Sequence, residues 1–212
     1  MIASLGAGQK EPCSTEDPWS KRLVDNLISV LSCLCRWRSD FYRSRCACKV
    51  GALGSKVPLP ESVLSAVLGV GLEQSGWSAE REALSGQGRA DLKLTGEGRT
   101  ALVEAKIWGR NNWRQGQEQI ERLWAPGVTS AAVAMFLMGG SCGTAGEYWA
   151  RCLCRPGRSV QLVQARSPLL GRFHVESVTR AGAHVSVEHL LVSLPWSERA
   201  PRPDDVFSSH AC

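Results

Sequence analysis

Three ionisable side chains could act together: Asp91, and the pair Glu104 and Lys106 near the end of the mostly apolar stretch of residues 100–108. If the stretch is a β-strand, Glu104 and Lys106 project from the same face, because side chains two residues apart do so. Such charges beside a buried strand are costly unless they bind something. Carboxylates are hard ligands suited to Mg²⁺, and a lysine can offset charge on a phosphate. We therefore expect chemistry of the phosphodiester hydrolysis type.

The surrounding segment predicts two antiparallel strands followed by a helix. Residues 89–94 alternate between polar and apolar types, and residues 100–108 are mostly apolar. The glycine-rich residues 95–99 between them are typical of a turn. A helix is predicted over 112–124, with Pro126 and Gly127 closing it. In this arrangement Asp91 lies on the strand next to that of Glu104.

Asp91, a short gap and then Glu104-Ala105-Lys106 resemble the signature of the PD-(D/E)xK nuclease superfamily, closest in pattern to its RecB-like and related bacterial branches. The resemblance implies that Asp91, Glu104 and the main-chain carbonyl of Ala105 hold a Mg²⁺ or Mn²⁺ ion. It implies that Lys106 lies beside the attacking water. Gln119 resembles a glutamine that follows the catalytic lysine in some branches, so we expect it to steady substrate or metal.

The resemblance also implies accessory acidic residues before Asp91. Glu82 falls on the predicted strand 77–84 and is expected near the metal site. Glu61 and Glu73 fall on the preceding predicted helix, which in this superfamily can carry an extra acidic ligand. For these two the alternative interpretation is a surface carboxylate, and for the whole motif it is a salt-bridged strand pair without catalytic function.

The N-terminal part of the sequence predicts a long amphipathic helix from Trp19 to about Arg45. Its apolar residues recur three or four positions apart, as in a helix with one buried face. Basic and aromatic residues are interleaved toward its end, a mixture that nucleic-acid surfaces use. The alternative is a solvated helix face with its aromatic residues in the core. The residues predicted to contact nucleic acid are Arg36, Arg38, Arg43, Arg45 and Lys49.

The predicted fold is α/β and restriction-endonuclease-like: a mixed sheet flanked by helices, with the long N-terminal helix and a C-terminal β-hairpin that extends one edge. A lead-in of residues 1–18 precedes a single domain over 19–194, whose catalytic core is about 60–165, and residues 195–212 form a tail. The remaining predicted elements are a loop at 50–60, a helix from 60 to about 75, a buried strand at 130–138, a turn at 139–144, a helix at 146–154, and strands at 159–165, 172–178 and 184–192.

Composition sets the broad class. The 212 residues are 43% hydrophobic and 21% charged, which is ordinary for a globular protein, and the formal net charge of +5 is compatible with binding nucleic acid. No segment approaches the roughly 18 apolar residues of a membrane span, and the first residues lack the pattern of a secretion signal. We therefore expect a cytoplasmic protein without membrane association. Its nine cysteines are expected to be reduced thiols.

The function predicted from these features is a Mg²⁺-dependent nuclease that acts on DNA, in defence against foreign DNA or in repair. A homodimer or a larger defence or repair complex is the expected assembly. One alternative is an inactive nuclease-fold subunit that binds nucleic acid or acts as a scaffold. A second is a structural partner protein built on the long N-terminal helix.

Overall fold

The computed structural model describes residues 17–36, 42–44, 56–58, 60–108, 112–138, 142–167, 169–179 and 182–194. In this part of the chain the helices are α1 (Pro18–Arg36), α2 (Glu61–Gln74), α3 (Asn112–Leu123) and α4 (Cys142–Leu153). The strands are β1 (Tyr42–Ser44), β2 (Lys56–Pro58), β3 (Ser78–Ser85), β4 (Gly88–Gly96), β5 (Arg99–Ile107), β6 (Val128–Leu137), β7 (Arg158–Ser167), β8 (Leu170–Val178) and β9 (His184–Ser193).

Seven strands form one mixed sheet in the order β3-β4-β5-β6-β9-β8-β7. The first three strands are antiparallel neighbours, as predicted. β6 then runs parallel to β5, and α3 is the crossover between them. The α/β class and the mixed sheet flanked by helices are therefore confirmed.

The sheet separates two hydrophobic cores. α1 and α2 cover one face, where Leu31 and Leu68 are fully buried. α3 and α4 cover the other face, where Ile120 and Trp149 are fully buried. Residues 130–137 of β6 are buried on both faces, which explains their continuous apolar sequence. Among the helices of the described residues, none is both long enough and apolar enough to span a membrane.

Gly116 lets the crossover helix lie close to the sheet. A Cβ atom at this position would lie 2.7 Å from Cγ1 of Val133 on β6, which is closer than real Cβ contacts. The glycine therefore sets how near α3 packs to the strand beside Glu104. At this contact the backbone of Gly116 on α3 packs directly against the side chain of Val133 on β6.

The prediction for the N-terminal helix was wrong in its length. α1 ends at Arg36 and not near Arg45, and Tyr42–Ser44 form a strand that pairs with Lys56–Pro58. The second of these strands lies inside the segment predicted as a loop. A local pattern cannot show a strand whose partner is distant in the chain, and tertiary pairing overrides helix propensity here.

The predicted C-terminal hairpin is present and extends the sheet on the β6 side. β8 and β9 form it, and β9 pairs in parallel with β6. The place of β7 was not predicted: it pairs with β8 and forms the outermost strand on that side. α4 begins at Cys142, inside the segment predicted as a turn. The lead-in before Asp17 and the tail after Leu194 lie outside the described residues.

Candidate active site

The candidate site lies where β4 and β5 separate. Their ladder runs from Gly96 opposite Arg99 to Leu92 opposite Val103. At the next position side chains supply the hydrogen bonds. The Ala105 N–H donates to Asp91 Oδ2 at 2.8 Å, and the Asp91 N–H donates to Glu104 Oε1 at 3.4 Å. The alternating pattern of β4 and β5 thus brings the two carboxylates together across the gap.

Lys106 is the cation at the centre of this cluster. Its Nζ lies 3.1 Å from Glu104 Oε2, 3.5 Å from Asp91 Oδ2 and 3.8 Å from Glu61 Oε2. The Lys106 side chain is only 8% exposed. Burial alone would lower its pKa, but the charges of Glu104 and Asp91 outweigh burial and raise it. Lys106 is therefore an ammonium ion at neutral pH, and it faces three carboxylates.

Glu61 joins the site from the first turn of α2. Its Oε1 accepts a hydrogen bond of 2.9 Å from the N–H of Ile107, at the end of β5. This bond attaches the start of α2 to the strand that carries Glu104 and Lys106. The Glu61 side chain is 36% exposed and that of Asp91 is 23% exposed, so the cluster is open to solvent on their side.

Glu104 is the fully buried member of the cluster, with no exposed surface. Burial, followed by the charge of Asp91, raises its pKa from 4.5 to about 7 in spite of Lys106. Its Oε2 lies 3.1 Å from Lys106 Nζ and has no other donor among the described residues. A buried carboxylate next to a second carboxylate has the donor chemistry of a site for a small hard cation.

The protein would supply only part of the coordination of such an ion. In the part of the chain that the structure describes, no group of three or more His, Cys, Asp or Glu side chains is arranged to hold a metal. If Asp91, Glu104 and the Ala105 carbonyl held an ion, water molecules would have to complete its coordination. This suits Mg²⁺, which usually keeps several waters and takes one or two carboxylates from a protein.

Three predicted accessory residues form no hydrogen bond or ion pair with this cluster among the described residues, although Glu82 falls at the register position of Asp91 on the neighbouring strand. Gln119 is half-buried on α3, and within the described residues it forms no hydrogen bond to Asp91, Glu104 or Lys106. Glu82 is exposed on β3 with φ of 52°, a left-handed conformation that is uncommon outside glycine. Glu73 is exposed near the end of α2. The roles of Gln119 and Glu82 stay predictions.

The predicted nucleic-acid contacts fall mostly outside the described residues. Arg36 is exposed at the end of α1, where its Nη2 donates to Cys33 Sγ at 3.0 Å. The main chain of Arg43 lies in β1, but its side chain is outside the described part, as are Arg38, Arg45 and Lys49.

The sequence pattern missed a second group of polar residues behind α3. Gln117 is fully buried, and it connects His189 on β9 to Glu121, which also binds Arg158 on β7. The spacing of Gln117 and Glu121, four residues apart on one helix face, was the available signal. His189 and Arg158 carry no local signal, because their partners are distant in the sequence.

Comparison with known proteins yields no family assignment. No protein-family model matches the sequence, and a search of curated proteins found no match. The interpretation of the site therefore depends on the geometry of its residues.

Proposed function

We propose that the protein is a metal-dependent nuclease that hydrolyses DNA phosphodiester bonds. The observation that carries the proposal is the convergence of Asp91, Glu104 and Lys106 at the point where β4 and β5 separate. Three antiparallel strands, a crossover helix and a parallel fourth strand are the arrangement expected of a restriction-endonuclease-like core. On this basis we also propose that the fold is of the PD-(D/E)xK type.

Each residue of the cluster has a distinct role in this proposal. Asp91, Glu104 and the Ala105 carbonyl would hold Mg²⁺ or Mn²⁺. When bound, such an ion polarises a phosphate and lowers the pKa of a coordinated water. The Lys106 ammonium orients the attacking water and offsets the negative charge that develops on the phosphate. Glu61 keeps Lys106 and the end of β5 in place through its ion pair and its hydrogen bond to Ile107.

DNA is the proposed substrate because the site chemistry is that of phosphodiester hydrolysis and the chain has an excess of basic residues. A role in defence against foreign DNA or in repair, within a homodimer or larger complex, is proposed from the family resemblance alone.

An inactive nucleic-acid-binding subunit is the second candidate. One observation favours it: the buried ammonium of Lys106 lies within 4 Å of all three carboxylates, as in an ion-pair group with a purely structural role. Hydrolysis and binding separate the two candidates directly.

Cleavage of plasmid and linear duplex DNA with Mg²⁺, with and without a chelator, tests the proposal. We expect metal-dependent cutting that falls by about a thousandfold in Asp91→Asn and in Lys106→Ala. Lys93→Ala is the matched control, since Lys93 is a lysine of β4 whose partner is the exposed Glu80. Its cutting rate should equal that of the wild type.

Two outcomes would contradict the proposed nuclease function. Cutting that persists in Asp91→Asn and Lys106→Ala, or that is unaffected by the chelator, would show that this site is not responsible for it. DNA binding without cutting by the wild type would select the inactive subunit.

A further inference from the structure

A cavity of about 520 Å³ lies on the α1 side of the sheet, away from the candidate active site. It is formed by the start of α1, the start of β6, and strands β7, β8 and β9. Its lining includes none of Asp91, Glu104, Lys106 and Glu61. A volume of this size is in the range of small-molecule sites.

The floor of the cavity is a cross-strand group of charges. His174 on β8 is directly opposite Glu188 on β9. Glu188 Oε1 lies 2.8 Å from His174 Nδ1, and its Oε2 accepts a hydrogen bond of 2.8 Å from Arg172 Nε. All three side chains are at most 20% exposed. The bond to Glu188 raises the pKa of His174, which favours the imidazolium. With His174 charged, Arg172 and His174 share the carboxylate of Glu188, and the other carboxylates of the lining are those of Glu176 and Asp17.

The second nitrogen of His174 points toward the mouth of the cavity. His174 Nε2 lies 3.4 Å from Ser186 Oγ and 3.7 Å from the carboxylate of Glu176. The Glu176 side chain is 69% exposed, so it is a loosely held partner that can leave at small cost. The remaining acidic group of the lining, Asp17, is already paired with Arg99 and Ser20. Glu176 therefore occupies the position that the anionic group of a ligand would take.

Apolar side chains also line the cavity. They are Leu23 and Val24 of α1, and Val163 of β7, which is directly opposite Arg172. Small-molecule sites commonly combine apolar walls with a few polar groups that fix orientation.

We propose that this cavity binds a small organic anion, a carboxylate or a phosphate monoester with an apolar body, whose oxyanion replaces Glu176 at His174 Nε2 and Ser186 Oγ. The site is separate from the proposed nuclease centre and does not depend on it. It is a binding site, and no reaction is assigned to it.

Calorimetric titration of the full chain with three matched probes tests the site. Benzoate and phenyl phosphate share an aromatic body and differ in the anion, whereas benzamide has the same body without charge. We expect saturable binding of at least one anion and at least about tenfold weaker binding of benzamide, because a charge-assisted hydrogen bond is lost. The stronger of the two anions shows whether the site prefers a carboxylate or a phosphate.

Variants of opposite expected sign complete the test. His174→Gln should weaken binding of the anion by about tenfold, and Ser186→Ala by about threefold. Glu176→Gln should strengthen binding by about threefold, because it removes a competing carboxylate. Glu73→Gln, at an exposed glutamate of α2, should leave binding unchanged.

Ser186 and Glu176 keep the proposal open to refutation should His174→Gln fail to fold, since both are exposed. Absence of saturable binding, equal binding of benzamide, or weaker binding by Glu176→Gln would each overturn it.

Discussion

Two clusters of buried polar groups lie on the sheet and differ in how well their charges are matched. In the candidate active site, one lysine faces three carboxylates, and Lys106 is the one donor near Glu104 Oε2 among the described residues. The second cluster, which we call the α3 network, consists of Gln117, Glu121, Arg158 and His189. There Glu121 accepts two hydrogen bonds from Arg158, of 3.0 and 2.7 Å, and one of 2.9 Å from Gln117.

The pKa values of Glu104 and Glu121 reflect this difference in charge matching. Burial pushes the pKa of both upward. For Glu121 the hydrogen bonds from Arg158 and Gln117 outweigh burial and lower the pKa. For Glu104 burial and the charge of Asp91 prevail over Lys106 and raise it to about 7. A buried carboxylate that is matched by donors, such as Glu121, does not by itself indicate a functional site. Carboxylates in excess of their cationic partners, as around Lys106, make a better candidate for one.

The α3 network also orders its neutral members. Gln117 Nε2 donates to Glu121, so Gln117 Oε1 is directed at His189 Nε2, 2.6 Å away, and the histidine donates. Burial lowers the pKa of His189 to about 3, so the ring stays neutral and stacks on Phe173. The network thus joins α3 to β9 without introducing an unbalanced charge.

The largest expected difference between Glu104 and Glu121 is in how each makes the stability of the fold depend on pH. Between pH 4.5 and about 7 the folded chain keeps a proton on Glu104 that the unfolded chain has released, so the free energy of unfolding falls as pH rises through this window. We expect Glu104→Gln to lack this loss, with a difference of about 3 kcal/mol between pH 4.5 and 8. Urea unfolding at a series of pH values in a chelating buffer measures it. If the free energy of unfolding of the wild type and of Glu104→Gln depended on pH in the same way, the pKa of Glu104 would not be raised on folding.

Glu121→Gln should have the reverse effect at neutral pH. Its pKa is lowered on folding, so the stability it contributes is complete above the ordinary pKa of a glutamate and is lost as pH falls through the lower folded value. Removing the charge leaves Arg158, 14% exposed, without its ion pair, and we expect a loss of about 2 kcal/mol at pH 7. Thermal and urea unfolding give the change. An unaltered stability at pH 7 would place the energy of the α3 network in packing alone.

An exposed pair gives the smallest expected effect. Lys93 and Glu80 are 4.0 Å apart with side chains 33% and 66% exposed, so Lys93→Ala should cost only about 0.5 kcal/mol or less. The same unfolding assay in low and high salt measures it. A loss comparable to that of Glu121→Gln would mean that burial does not decide the energy of ion pairs in this protein.

The part of the site carried by adjacent strands could be predicted from local pattern. Alternation in residues 89–94, the apolar residues 100–108 and the turn between them predicted the hairpin, and the two-residue spacing placed Glu104 and Lys106 on one face. The structure has both features. Asp91 could be placed on the neighbouring strand because a short turn leaves little freedom in register.

The rest depends on contacts between distant segments. Glu61 was only one of two acidic candidates, because sequence alone does not show where the first turn of α2 meets β5. Which strand of the C-terminal hairpin would join β6 was likewise hidden, since a hairpin pattern is the same for either choice. The predicted length of α1 was wrong for the same reason, because β1 pairs with a strand further along the chain.

Binding of Mn²⁺ tests the central claim most directly: that Asp91 and Glu104 together hold a divalent cation. Calorimetric titration should show one ion bound by the wild type and an affinity at least about tenfold lower in Asp91→Asn and in Glu104→Gln. The control is Glu121→Gln, which removes a glutamate from the α3 network, and it should bind Mn²⁺ as the wild type does. Equal affinity in all four proteins, or no Mn²⁺ binding by the wild type, would contradict the claim.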